Sequence, residues 1–242
     1  MITEITDPRF RVEIDWDGSS RSPERGIWRG QHTCVAEGFT MDDEPPSNAG
    51  DAIIRHQLKV EHFGVLRFGF LSLHCAGFPH STMAQLTRHQ DSAHLVQSGR
   101  YTGERFVRVA DKKMDVDEVF YFRPVGVYQD RQGKRYEYTH QDRLDDMTWC
   151  EIACERYAKY IVNGFSEEHA RALTIPYEFR QNFSIAGDLQ AVFHWLDQRS
   201  KKDSQLEIQA LAKMAAAKLV EFAPSLGEWY MGNRWGKARL AP

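Results

Sequence analysis

The spacing of apolar and polar positions changes along the chain. Glu118-Val-Phe-Tyr-Phe-Arg-Pro-Val-Gly-Val-Tyr128 and Lys134-Arg-Tyr-Glu-Tyr-Thr139 are dense in aromatic and β-branched residues and read as two strands. Asp130-Arg-Gln-Gly133 between them has the composition of a hairpin turn, and Pro124 confines the first strand to an edge or a bulge. From residue 141 the period lengthens. Leu144, Met147, Cys150, Cys154, Tyr157 and Ile161 recur at three and four, and Asn163-Gly164 supplies a helix stop. Three further helices are predicted: about 166–173 with Ser166 as N-cap, about 188–199 with Asp188 as N-cap, and about 204–222 with Asp203 as N-cap and Pro224 beyond its end.

Upstream, residues 17–26 and 42–51 are rich in turn formers and charge and read as loops. A helix is expected from near Asp51, carrying Ala52, Ile53 and Leu58 toward Glu61-His62. Next, Leu66, Phe68 and Phe70 alternate with Arg67 and Gly69 as in a half-buried strand. Pro79 and Ser81 mark a helix start, which places Gln85, Arg88 and His89 near that helix's C-terminal end. Nothing repeats. The expectation is a mixed α/β (α+β) fold with one domain over residues 1–242, strands mostly in the first 140 residues and helices mostly after.

With 242 residues, 42% hydrophobic and 27% charged, the chain can bury a sizeable core. Its net charge of −3 creates no general attraction to nucleic acid or to an anionic membrane, so an anionic ligand must be held by local arginines. No apolar run approaches the roughly 18 residues of a membrane span, and Met1-Ile-Thr-Glu-Ile-Thr-Asp7 lacks the features of a signal peptide, so a cytoplasmic protein is expected. Cys34, Cys75, Cys150 and Cys154 form no CxxC and read as structural thiols. His74, His80, His89 and His94 lack carboxylate partners at ligand spacing, so no metal site is expected. GxSxG, GxxxxGK[ST] and GxGxxG do not occur.

The stretch from Gln85 through Arg88, His89, Gln97, Ser98, Gly99 and Arg100 to Tyr101 sets arginines, a serine and a glycine where a helix runs into a loop. Guanidinium forks, a hydroxyl and amides approachable through glycine are what a nucleotide phosphate requires. The bland alternative is a solvated surface on which these arginines, with Arg105 and Arg108, pair with Glu104, Asp111 or carboxylates elsewhere. Arg171 and Arg199 each follow an apolar helical face. Each taken alone reads as a snorkelling surface arginine.

Together these residues resemble the flavin-dependent thymidylate synthases, whose signature places Arg-His-Arg ahead of Ser, Asn, Ser and Arg. Arg88, His89, Ser98 and Arg100 fall on four of those positions. The resemblance begins at Glu61-His62 and continues through Ser166 to Arg171, His194 to Arg199, Gln205-Leu-Glu-Ile208, Trp229-Tyr230 and Lys237-Ala-Arg-Leu-Ala-Pro242, the last two as in a cyanobacterial branch. It implies a homotetramer with active sites between subunits. It also implies FAD, a methylene group from 5,10-methylenetetrahydrofolate, NADPH as reductant, and methylation at C5 of a uridine monophosphate. Carried over, Gln85, Arg88, Gln97, Ser98, Gly99, Arg100 and Arg171 hold the nucleotide. Arg199 sits against the pyrimidine edge as the catalytic residue. Gly64, Arg88, His89, Gln90, Val96, Asp188, Gln190 and His194 contact the flavin cofactor.

This chain departs from the signature in three places. The second signature arginine is Gln90, the signature Ser and Asn are Ala93 and Leu95, and an Asn-x-Arg that contacts FAD is Asp188-Leu-Gln190. About three positive units are lost from surroundings that receive a diphosphate, each worth a few kcal/mol before compensation. Weakened or rearranged FAD binding is therefore expected, and the drift suits a specialised relative such as a UMP methylase of nucleoside-antibiotic assembly. A pyrimidine 5-hydroxymethylase and a catalytically silent nucleotide binder are the alternatives.

Overall fold

A computed structural model of the chain describes residues 1–130 and 132–237. In chain order the elements are β1 (Arg11–Ile14), α1 (Pro23–His32), α2 (Ala49–His56), β2 (Phe70–Pro79), α3 (His80–Leu86), β3 (Ala93–Val96), α4 (Glu104–Ala110) and α5 (Val116–Val119). There follow β4 (Gly126–Gln129), β5 (Arg135–Tyr138), α6 (His140–Val162), α7 (Glu167–Thr174), β6 (Arg180–Asp188), α8 (Leu189–Arg199), α9 (Leu206–Phe222) and α10 (Pro224–Asn233). Four strands form a sheet in the order β1-β2-β6-β3, and β4 pairs antiparallel with β5. The fold is mixed α/β, as expected.

The residues gather into two compact units, each drawn from separate stretches of chain. The first comprises residues 1–10, 76–85 and 96–183; the second comprises 11–75, 86–95 and 184–242. In the first unit, Cys150, Cys154 and Tyr157 of α6 pack with Phe106, Val109, Val119, Phe120 and Phe179, with Met147 and Ile161 partly buried against them. The three-four spacing read from the sequence is this buried stripe. Leu144 lies outside it, 56% exposed, because α6 reaches the cluster only from Met147 onward. In the second unit α9 buries Ile208, Leu211, Ala215 and Leu219, and α10 buries Leu226 and Tyr230.

α6 starts at a reciprocal cap. The Thr139 hydroxyl accepts from the Asp142 amide at 3.1 Å, while the Asp142 carboxylate accepts from the Thr139 amide at 2.8 Å. Thr139→Ala should cost about 1 kcal/mol of stability, read as a lower urea midpoint with an unchanged slope.

Several expectations are corrected. Residues 66–69 are not a strand, which begins only at Phe70: Phe63–Phe68 is a 3-10 helix that buries Phe63 and Leu66, three apart, and leaves Phe68 exposed. Pro79 is the last residue of β2, and the helix expected at Pro79–Ser81 begins at His80 as α3. Of residues 118–128 only 126–128 enter a two-stranded ladder. The Asp117 and Phe120 carbonyls instead accept from the Arg180 guanidinium at 3.1 Å each, and Phe120 makes only an isolated bridge to Phe179. Asp203 does not cap α9; Gln205 holds the N-cap position without a side-chain capping bond, and Lys201–Ser204 forms a turn closed by the Ser204 amide. Part of the loop expected at 17–26 is helix α1, with Pro23 in its first turn. The Asp130–Gly133 turn does join β4 to β5, although Arg131 lies outside the described residues, as do the last five residues of the Lys237–Pro242 match.

Strand β6 has no counterpart in the sequence reading. Its first residues, Arg180 and Gln181, are polar yet buried, which breaks the expected alternation. Arg180 is satisfied by Asp7 at 2.7 Å and the Gly77 carbonyl at 2.8 Å, and Gln181 by His80 at 2.7 Å and the Gln97 carbonyl at 3.0 Å.

Candidate functional site

The first unit holds six of the residues assigned to the nucleotide: Gln85, Gln97, Ser98, Gly99, Arg100 and Arg171. Gln97 follows β3 and is locked on both sides. Its amide donates to the Asn182 carbonyl at 2.9 Å, its side-chain oxygen accepts from the Asn182 amide at 3.2 Å, and its carbonyl accepts from Gln181. The next residues turn sharply. Ser98 Oγ accepts from the Arg100 amide at 3.3 Å, and the Ser98 carbonyl accepts from the Tyr101 amide and from the Thr102 hydroxyl.

Gly99 is buried at this turn, and a Cβ built on it would stand 2.3 Å from Arg171 Nη1 and 2.9 Å from its Cδ. Glycine is therefore required by the close approach of the Arg171 guanidinium, which α7 carries to the loop. Arg100, mostly exposed, pairs with Glu168 at 3.3 Å, so the surface-pairing alternative describes its side chain in this structure. Gln85 donates to the Ser81 carbonyl of its own helix at 3.4 Å.

Arg105 was noted in the sequence only as extra charge, yet it sits behind this loop. Its guanidinium donates to the Arg180 carbonyl at 2.7 Å and to the Gln97 side chain at 3.5 Å, and lies over the Phe106 and Phe179 rings. Burial pulls its pKa down to about 10. Its role became visible only with β6, whose Arg180 it contacts.

The second unit holds Arg88, His89, Gln90, Asp188, Gln190, His194 and Arg199, with Gly64 exposed in the 3-10 helix. Asp188 caps α8 by accepting from the Ala191 amide at 2.9 Å, as expected, and α8 ends at Arg199. Arg199 Nε donates to His89 Nε2 at 2.9 Å, and the His89 and His194 rings meet edge to face at 5.8 Å. Burial pushes the His89 pKa down to about 4, helped by the Arg199 charge and then by His194 and His94, against Asp91. The imidazole is therefore neutral and acts as an acceptor. Arg199 is itself shifted down, first by burial and then by the charge of Arg88. Two like charges that act on one another favour an anion beside them.

The depressed His89 pKa has a consequence for stability. The unfolded chain takes up this proton near the ordinary value of 6.5, and the folded chain only near 4, so stability is present above 6.5 and is lost as pH falls toward 4. Urea midpoints should fall over that window by the equivalent of about 2 kcal/mol, a figure reduced for the partial exposure of the ring, and His89→Gln should flatten the drop.

Asp188, Gln190 and His194, which the family resemblance assigns to the flavin, line one cavity of about 110 Å³ with Arg67, Asp91 and Ala191. Gln90 and Val96 are exposed, and neither lines it. Arg67 donates to the Gln190 side chain at 2.9 Å and stands 4.0 Å from the Asp188 carboxylate. It sets a positive charge beside the substituted positions Asp188 and Gln190. An arginine within the apolar run Val65-Leu66-Arg67-Phe68 was the signal for it. The donors Arg67 and Gln190 suit phosphate oxygens, and Asp91 and Asp188 suit hydroxyls, so the polar lining fits part of a dinucleotide cofactor.

The thiols play no part in these clusters. Cys150 and Cys154 are pushed up to about 12 by burial and Cys75 is also raised, while Cys34 is exposed. Among the described residues no helix is long and apolar enough to cross a membrane.

The family profile described as "Thymidylate synthase complementing protein" matches residues 19–225. The chain belongs to this family. Within the Thy1 family it is 25% identical over 210 residues to a flavin-dependent thymidylate synthase of Haloarcula marismortui, covering 84% of each chain. It is 24% identical over 199 residues to that of Mycobacterium tuberculosis, covering 80% of this chain and 74% of the relative. Its fold is shared with the UMP/dUMP methylase PolB from Streptomyces cacaoi bound with 5-Br dUMP, at a TM-score of 0.76, 19% identity and coverage of 96% and 97%. Thymidylate synthase X from Helicobacter pylori with FAD and dUMP aligns at a TM-score of 0.69 and 16% identity, covering 90% of this chain and 97% of that one. The Thy1 match runs across both compact units.

Proposed function

We propose that this chain is a flavin-dependent enzyme that methylates C5 of a uridine monophosphate, dUMP or UMP. Support comes from family membership, from relatives named flavin-dependent thymidylate synthase, and from neighbours that bind dUMP or its analogues. The observation that carries the chemistry is Arg199, half-buried, crowded by Arg88 and held through Nε by neutral His89.

C5 of uracil is a weak nucleophile. A guanidinium beside N3 and the ring carbonyl stabilises the anion in which electron density reaches C5, and arginine stays protonated while its neighbour loses a proton. Arg88 and Arg199 would supply that positive field. Gly99 and Arg171, with Ser98 and Arg100, would hold the phosphate, Arg100 exchanging its exposed pairing with Glu168 for a phosphate oxygen. No cysteine nucleophile is needed, in keeping with the raised thiols. FAD, methylenetetrahydrofolate and NADPH would supply the carbon and the reducing equivalents. Asp188, Gln190 and His194, with Arg67, are the residues in this reading that hold part of the FAD.

In this reading the working form is a homotetramer, and Leu144, Trp149 and Ile152, apolar and at least half exposed on α6, belong to the surface that assembly would cover. Light scattering on the purified protein reads that state.

The test is release of tritium from 5-tritiated dUMP and UMP with FAD, methylenetetrahydrofolate and NADPH at saturation, followed by product mass. Release with a methylated product is the expected result. A hydroxymethylated product would correct the reaction, and nucleotide binding without release would establish the silent binder. Flavin titration checks the altered cofactor half: binding weaker than that of relatives that keep the Asn-x-Arg is expected.

A further inference from the structure

The family resemblance places His89 against the flavin, and its ring also has a geometry that a flavin contact does not account for. Its Nε2 accepts from the Nε of Arg199 at 2.9 Å, and its ring meets that of His194 edge to face. We propose that His89 is a positioning residue: its neutral imidazole anchors the Nε–H of Arg199 and so fixes the plane in which that guanidinium is presented to the pyrimidine. This rests on the reading of Arg199 given above.

The physical reasons are local. An arginine side chain has many rotamers and would be displaced by a like charge beside it. Arg88 is such a charge. The Nε–H lies in the guanidinium plane, so one bond to it fixes both the position and the tilt of the terminal nitrogens. The anchor must accept a hydrogen bond and must not carry positive charge, which neutral imidazole satisfies. The groups facing the ring keep it so: Arg199 and His194 from α8 and His94 from β3 oppose its protonation, and only Asp91, from the turn after α3, favours it. Protonation would remove the acceptor and set a third positive charge against Arg88 and Arg199.

The experiment compares wild type, His89→Ala and His89→Gln in tritium release, nucleotide calorimetry and flavin fluorescence titration. His89→Ala should lower kcat about tenfold to a hundredfold, as a misplaced catalytic group does, with nucleotide and FAD Kd within about threefold. His89→Gln keeps an acceptor and should recover kcat to within about threefold. In an Arg199→Lys background, which lacks the Nε–H, His89→Ala should change the rate no further. A His89→Ala protein that loses FAD affinity, or whose kcat loss persists undiminished in the glutamine variant, overturns the proposal. If wild type releases no tritium, the functional reading fails. The anchor is then judged by NMR: the Arg199 Nε–H signal, assigned by its loss in Arg199→Lys, should be protected from exchange in wild type and unprotected in His89→Ala. Equal exchange in both would overturn it.

Discussion

Arg199→Ala is expected to lower turnover by about a hundredfold to a thousandfold, about 2.7 to 4 kcal/mol, while leaving nucleotide affinity within about tenfold. The asymmetry follows from where charge develops. The ground-state uracil is neutral and gains little from a guanidinium at its edge, whereas the ring anion formed on the way to C5 attack gains most of its stabilisation there. Removing Arg199 relieves the repulsion it suffers from Arg88 and also removes its hydrogen bond to His89. Rates from tritium release and affinities from calorimetry on the same preparation separate the two quantities. Normal turnover in this variant would remove ring activation from the list of things Arg199 does.

Gly99→Ala should raise the nucleotide Kd about tenfold to a hundredfold with little change in stability. The new methyl group would lie 2.3 Å from Arg171 Nη1 and 2.9 Å from its Cδ, so the guanidinium must leave the loop. The atoms that give way belong to a flexible side chain, which keeps the folding cost low. The loss is that of a charge-assisted phosphate contact, about 1.5 to 3 kcal/mol. Because the methyl acts by displacing Arg171, adding Arg171→Ala to Gly99→Ala should weaken binding little further. Unchanged affinity in the glycine variant would mean that Arg171 does not hold the phosphate.

The two halves of the candidate site differ in how far the sequence revealed them. Arg88, Ser98, Gly99 and Arg100 sit close together in the chain, where glycine, serine and arginine report their chemistry directly. Arg171 and Arg199 were ambiguous alone and gained meaning only from a family pattern. Arg105 and Arg67 were passed over, since an arginine over phenylalanine rings and an arginine against a distant glutamine look like any other arginine until β6 and α8 are in place. The charge count at the flavin half was similarly incomplete, because it summed substitutions along the chain while Arg67 enters from more than a hundred residues away.

Local signals determined what depends on neighbours in the chain. The three-four period and Asn163-Gly164 marked α6, Ser166 and Asp188 marked the starts of α7 and α8, and residues 126–138 marked a hairpin. These features rest on hydrogen bonds and burial within a few residues, so composition and spacing suffice. Tertiary structure alone decided β6, the 3-10 helix at Phe63–Phe68 and the state of His89. Buried Arg180 and Gln181 are tolerable in a strand only because Asp7, Gly77, His80 and Gln97 satisfy them, and His89 is neutral only because burial and Arg199 make its proton costly. Partners so remote in the chain leave no mark on the pattern around the residues they satisfy.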